Sequence, residues 1–272
     1  MFEPYLAYIL FLLIGLVLGL IGGGGSILGV PVLVYLLHYP IDTATGYSLF
    51  IVGITSLFGA FSVIKKGEIS FESLVQFAIP SLITVFCLRK FLIPVLPNVF
   101  FTIGSFEAGK QLVVMCLFSV LILASSYRMI RKSKNNPVGD VMWDEFAKTP
   151  MRLPFVITLG ILVGFITGFI GAGGGFIIVP VLMFFIRVPL KKAIGTSLCI
   201  IALNSLIGFT GNFSNITIEW NFLLSISGIC IVGVLVGNAI SAKVSSQKLK
   251  PAFGWFTLIV GIFVIIKELI LS

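Results

Sequence analysis

Two runs of small residues offer the best material for chemistry: Gly22, Gly23, Gly24, Gly25 and Ser26, then Gly171, Ala172, Gly173, Gly174 and Gly175. A glycine run lets the backbone turn and brings its N–H groups close to a bound molecule. A helix that starts after the turn adds the positive end of its dipole. That combination suits a small anion. The competing reading is close helix packing through small residues, which Gly15/Gly19 and Gly164/Gly168, each four apart, fit directly. Each run precedes a polar stripe: Thr45, Ser48, Thr55, Ser56, Gly59 and Ser62 in the first case, Thr196, Ser197, Asn204, Ser205, Gly208 and Asn212 in the second. Spacings of three, four and seven keep most of each stripe on one helix face. Ser48, Thr55, Ser197 and Asn204 are candidate donors along a substrate path; the alternative is hydrogen bonding between helices. Arg89 completes the candidate set. With Lys90 it lies between two apolar stretches, where a cation is either functional or snorkels to a helix end.

Other chemistries lack their residues. Gly22, Gly24 and Gly29 do not make a GxGxxG, and no Gly-Lys-Ser/Thr follows, so a nucleotide loop is not expected. His38 is the only histidine and has no HExxH context, so neither a metal nor another cofactor is expected. Glu68, Glu72 and Glu219 lie near the ends of apolar runs, and there is no Ser/His/Asp set. An enzyme is therefore not expected. Cys87, Cys116, Cys199 and Cys230 form no CxxC pair and read as small buried hydrophobes.

The elements that would position these residues follow from composition. The chain has 272 residues, of which 58% are hydrophobic and 10% charged, against about 25% charged in soluble domains. The mean hydropathy is +1.17. The net charge of +8 is spread thinly, which excludes a nucleic-acid surface. The composition predicts an all-α polytopic membrane protein in a lipid bilayer. Glu3 precedes any basic residue and the first lysine is Lys65, so a secretory signal peptide is not expected. The polar stretch 135–152 reads as a linker between membrane units 1–134 and 153–272.

Those units are repeats. A shift of 149 places Gly15, Gly19, Gly22, Gly24 and Gly25 on Gly164, Gly168, Gly171, Gly173 and Gly174, and Pro31 on Pro180. From Gly15 to Gly59, 19 of 45 positions are identical. If each glycine-centred run crosses the membrane once, Lys and Arg divide nine to nine between the two sides. If each folds back at its glycines, they divide fourteen to four. The positive-inside rule favours the second arrangement. It predicts two inverted units, each a glycine-broken helical hairpin followed by three transmembrane helices, with a cytoplasmic linker.

The glycine-rich segment before Pro31, the Ala44-Thr45-Gly46-Tyr47-Ser48 start of the next span, and their repeats at Gly171–Pro180 and Ala193–Ser197 resemble the TauE/SafE sulfite exporter family. The resemblance covers nearly the whole chain. It implies a permease of the prokaryotic plasma membrane for sulfite, sulfonates or related organosulfur anions. The expected mechanism is alternating access, with the anion held between the two glycine clusters. A small-anion channel and a permease for another small anion stay open, as do proton or other ion coupling and the oligomeric state.

Overall fold

The computed structural model describes residues 3–23, 25–97, 99–103, 106–131, 152–171, 173–212, 218–241, 243–244 and 246–270. The predicted linker lies outside them except for Arg152. Among the described residues the first half contributes α1 (Glu3–Ile21), α2 (Ser26–Pro31), α3 (Ile41–Lys65), α4 (Phe71–Cys87) and α5 (Lys110–Arg131). The second contributes α6 (Arg152–Ile170), α7 (Gly175–Phe184), α8 (Leu190–Asn212), α9 (Trp220–Ser241) and α10 (Ser246–Ile270). Wider π-type turns extend α2 over Val32–Leu36 and α4 over Leu88–Leu92. Pro31 ends α2, where the π-type turn takes over, and Pro180 lies inside α7.

Among the described residues five helical stretches are long and apolar enough to cross a membrane: Ile41–Lys65, Phe71–Val95, Leu153–Ile170, Leu190–Gly211 and Trp220–Ser241. The 25 residues of α3 reach about 37 Å, enough for a hydrocarbon core of about 30 Å. The all-α expectation meets one exception, a short antiparallel hairpin of β1 (Val99–Ile103) and β2 (Phe106–Gly109). The helical course tightens to a single narrow turn over Ile93–Val95 and ends before Pro97, and Val99, Phe100, Phe101, Thr102 and Ile103 are strand formers.

The centre is the pair α3 and α8, whose spanning windows are 61% and 78% buried, against 33% for α4. They cross antiparallel. Phe50 meets Phe209 with ring centroids 5.0 Å apart, Gly53 meets Leu206, Gly59 meets Leu198, and Gly195 meets Val63. Around this pair the halves exchange partners: α1 packs on α9, and α6 packs on α4. The contacts repeat 149 residues apart. Gly15 abuts the backbone of Cys230 as Gly164 abuts that of Ser81, and Gly19 abuts Val234 as Gly168 abuts Val85. The glycines spaced by four are thus packing faces that bring helix backbones together.

The outer surface is apolar. On α4, Ser73, Phe77, Ser81 and Val85 are buried, while Phe71, Val75, Ile79 and Ile83, also four apart, are exposed. An exposed apolar stripe of this kind suits lipid rather than water. Cys199 and Cys230 are buried, but Cys87 is exposed, unlike the expectation for it.

Glycine replacement should sort by what a β-carbon would meet. At Gly15 and Gly164 it would collide with the facing backbone, so Gly15→Ala and Gly164→Ala should each destabilise by about 1–3 kcal/mol. Gly228 on α9 faces open space, so Gly228→Ala should be neutral or gain up to about 1 kcal/mol. Thermal unfolding in detergent measures all three.

Candidate functional site

The turns after α1 and α6 begin alike. Gly22 and Gly171 both adopt φ of +75°, a left-handed conformation that disfavours a β-carbon. Their N–H groups donate to the carbonyls of Leu18 (2.7 Å) and Thr167 (2.9 Å), closing the preceding helices. The next helices start from the turns themselves. Ser26 Oγ donates to the Gly23 carbonyl at 2.8 Å, and the N–H groups of Ile177 and Ile178 donate to the Gly174 carbonyl at 3.0 Å each. Gly25 packs back on Ile14 and Leu18 of α1, and Gly174 on Thr167 of α6. Gly25, Gly174 and Ser26 therefore close each hairpin. Gly24 and Ala172 lie outside the described residues.

The tips of the two turns meet. Gly23 lies backbone to backbone against Gly175, and a β-carbon on either would collide with the other. Beside this contact Gly173, at φ +67°, faces the Ser205 hydroxyl of α8 and Val52 of α3. Both turns thus reach the crossing of the central helices.

The polar stripes divide into two groups. Ser197 Oγ lies 2.6 Å from the Gly22 carbonyl and 2.8 Å from that of Ile194, so its proton helps hold the first turn. Asn204 Nδ2 donates to Ser81 Oγ at 2.6 Å. Thr55 sits beside the Cys230 thiol, the same pair of positions shifted by 149. The hydroxyls of Ser48, Ser56 and Ser205 and Asn204 Oδ1 are buried without a hydrogen-bond partner in the protein. Among the described residues Thr55 Oγ1, Gln76 Oε1 and Ser227 Oγ share this state, so the stripes carry several neutral polar groups with unfilled hydrogen-bonding capacity.

Arg89 and Lys90, adjacent in sequence, part company. Arg89 is 1% exposed, reaches Gly171, and donates from Nη1 to Thr45 Oγ1 at 3.1 Å. Lys90 is exposed, and its ammonium lies over the rings of Phe86 (5.3 Å) and Phe91 (5.7 Å).

Both ends of the central pair are tied down by equivalent bonds. At one end the Glu219 N–H donates to Tyr47 Oη at 2.9 Å, and Tyr39 Oη donates to Glu219 Oε2 at 3.1 Å. Burial, aided by that carboxylate, pushes the Tyr39 phenol above its ordinary range. At the other end the Ser70 N–H donates to Thr196 Oγ1 at 3.0 Å. Ser70 and Thr196 stand 149 residues from Glu219 and Tyr47. A small cavity of about 30 Å³ at the second end is lined by Lys66, Glu68, Lys191, Asn238 and Ser241 among others.

The stripe pattern alone did not expose Ser81, Thr167 or Tyr47 as partners. Ser81 was detectable as the position matching Cys230, on the buried face shared with Phe77 and Val85. Removing it should strand the Asn204 amide. Ser81→Ala is expected to cost about 1–3 kcal/mol, and the double replacement with Asn204→Leu less than the sum of the singles. A double-mutant cycle of thermal unfolding tests this.

Comparison with known proteins places these features in context. Residues 7–264 match the family model described as Sulfite exporter TauE/SafE. The chain is 30% identical over 257 residues to a probable membrane transporter protein of Xylella fastidiosa, covering 93% of this chain and 91% of that one. It is 26% identical to the probable membrane transporter protein YunE of Bacillus subtilis, over 89% of this chain and 91% of that protein. A probable membrane transporter protein of Methanocaldococcus jannaschii is 23% identical over 97% of this chain and 98% of its own. No solved structure matches the chain.

Proposed function

This chain belongs to the sulfite exporter TauE/SafE family, and we propose that within it the protein carries small sulfur-containing oxyanions, such as sulfite or sulfonates, by alternating access. It is a multi-pass membrane protein of a transporter family, not an enzyme. The observation that carries the finer reading is the contact of Gly23 with Gly175 at the crossing of α3 and α8. Backbone without side chains presents N–H donors at close range, and α7 adds a helix N-terminus beside them. The unpartnered hydroxyls of Ser48, Ser56 and Ser205 line the same central helices. Together they supply donors to a small oxyanion without requiring a charge from each half.

The two halves act as inverted units, with boundaries at 1–134 and 153–272. The antiparallel crossing of α3 and α8 supports this, as does the meeting of segments 66–70 and 191–196 at one end. Because each turn belongs to a different unit, rocking of one unit against the other changes their contact. That motion would expose the anion first to one side and then to the other. Coupling of this cycle to a proton or another ion is the part of the proposal that the gradient in the following test addresses.

The test is flux of sulfite and methanesulfonate into proteoliposomes, with and without a proton gradient. Saturable flux that responds to the gradient is expected. Gly23→Val and Gly175→Val should each lower it at least tenfold, while Gly228→Ala leaves it unchanged. Unsaturable flux would indicate a channel. Absence of flux for every sulfur oxyanion, or full flux in the Gly23→Val/Gly175→Val double variant, would overturn the reading.

A further inference from the structure

Arg89 presents a buried recognition edge that the protein itself leaves unengaged. Its Nη1 is held by Thr45 Oγ1 at 3.1 Å. Its Nε and Nη2 are buried and have no hydrogen-bond partner, and the whole residue is 1% exposed. These two nitrogens form the side edge of the guanidinium, whose parallel N–H groups match two oxygens of one oxyanion. Asp42 at the start of α3 exerts a favourable field on the cation, yet no hydrogen bond fills the edge. Unmet charged donors in an interior are strongly unfavourable, so the arrangement calls for a cause.

The scaffold does not provide one. The position 149 residues after Arg89 is Asn238, a neutral side chain whose Nδ2 donates to the Gly59 carbonyl at 3.2 Å. There α9 packs on α1 as α4 packs on α6. The same architecture is built once with a cation and once without. The surroundings of Arg89 are also shaped to it. A β-carbon at Gly171 would strike Nη2, and Gly211 lies against the arginine Cβ. Both glycines leave the room that the guanidinium occupies.

Resting on the transporter reading, we infer that Arg89, positioned by Thr45 and Gly171, grips the transported anion through a bidentate contact of its Nε/Nη2 edge and thereby selects oxyanions over halides. A sulfonate or sulfite group offers two oxygens on one sulfur at the required spacing. A halide offers one centre and cannot engage both N–H groups along their axes. A lysine at this position would keep the charge but lose the parallel pair.

The experiment is ligand-induced stabilisation of the full-length protein in detergent, titrated with sodium sulfite, sodium methanesulfonate or sodium chloride at matched ionic strength. The wild type should be stabilised saturably by both sulfur oxyanions and not by chloride. Arg89→Lys should weaken sulfite about ten- to hundredfold and erase the preference over chloride. Arg89→Gln should bind neither. Equal titration of wild type and Arg89→Lys, or equal stabilisation of the wild type by chloride, would overturn the inference. If both variants fail to fold, equal stabilisation of the wild type by sulfite and chloride still overturns the inference, and Thr45→Val, which releases Nη1 but keeps the charge, should weaken sulfite more than chloride if it holds. Flux separates the two levels of the argument. Sulfite flux that Arg89→Lys leaves intact removes the role of Arg89 but keeps the transporter. Neither flux nor binding of any sulfur oxyanion removes both.

Discussion

Irregular backbone inside a hydrocarbon slab is tolerable only where protein encloses it, and the rest of this molecule is arranged around that requirement. The turns at Gly22–Ser26 and Gly171–Gly175 are covered by α3 and α8, held by Ser197 on one side, and pressed against each other at Gly23 and Gly175. Covering them in this way demands that helices approach more closely than ordinary side chains allow. The glycines of α1 and α6 meet that demand, because they set backbone against backbone on α9 and α4.

Much of this organisation was legible in the sequence because it rests on residue types that few positions tolerate. Glycine spacing marked both the turns and the packing faces, and the shift of 149 tied them together. His38 and Arg187 show how deep the duplication runs. They share neither charge nor size, yet both hold positive φ, of 56° and 64°, at equivalent ends of α2 and α7. What sequence could not separate were residues whose fate depends on the angular position of a helix. Arg89 and Lys90 are neighbours on a π-type turn, and the step of about a quarter turn from one residue to the next sends one inward and the other to the surface. The closing roles of Gly25 and Gly174 were equally hidden, since a glycine facing its own preceding helix looks the same in sequence as one facing a ligand.

The site is polar without being heavily charged. Hydroxyls, an amide and backbone groups surround the crossing of α3 and α8, and among the described residues the buried cation is Arg89 of the first half. Dipoles of this kind are cheaper to bury than ions. They also bind weakly enough to let go, which a carrier needs as much as it needs capture. In the proposed cycle a single guanidinium would set the sign of the preferred ligand, while the neutral groups would leave its hydration and release adjustable.

The exchange of partners between halves bears on how the protein is made. The face of α6 that carries Gly164 and Gly168 finds α4 already synthesised when it emerges. The corresponding face of α1 must wait for Cys230 and Val234 on α9, more than 200 residues later. At translation rates of about 5–20 residues per second that interval is on the order of 10–40 s. Throughout it, the glycine face of α1 lacks its native partner. The nascent first half is therefore an incomplete object in the bilayer, and the partners of the two structurally equivalent interfaces become available in a fixed order.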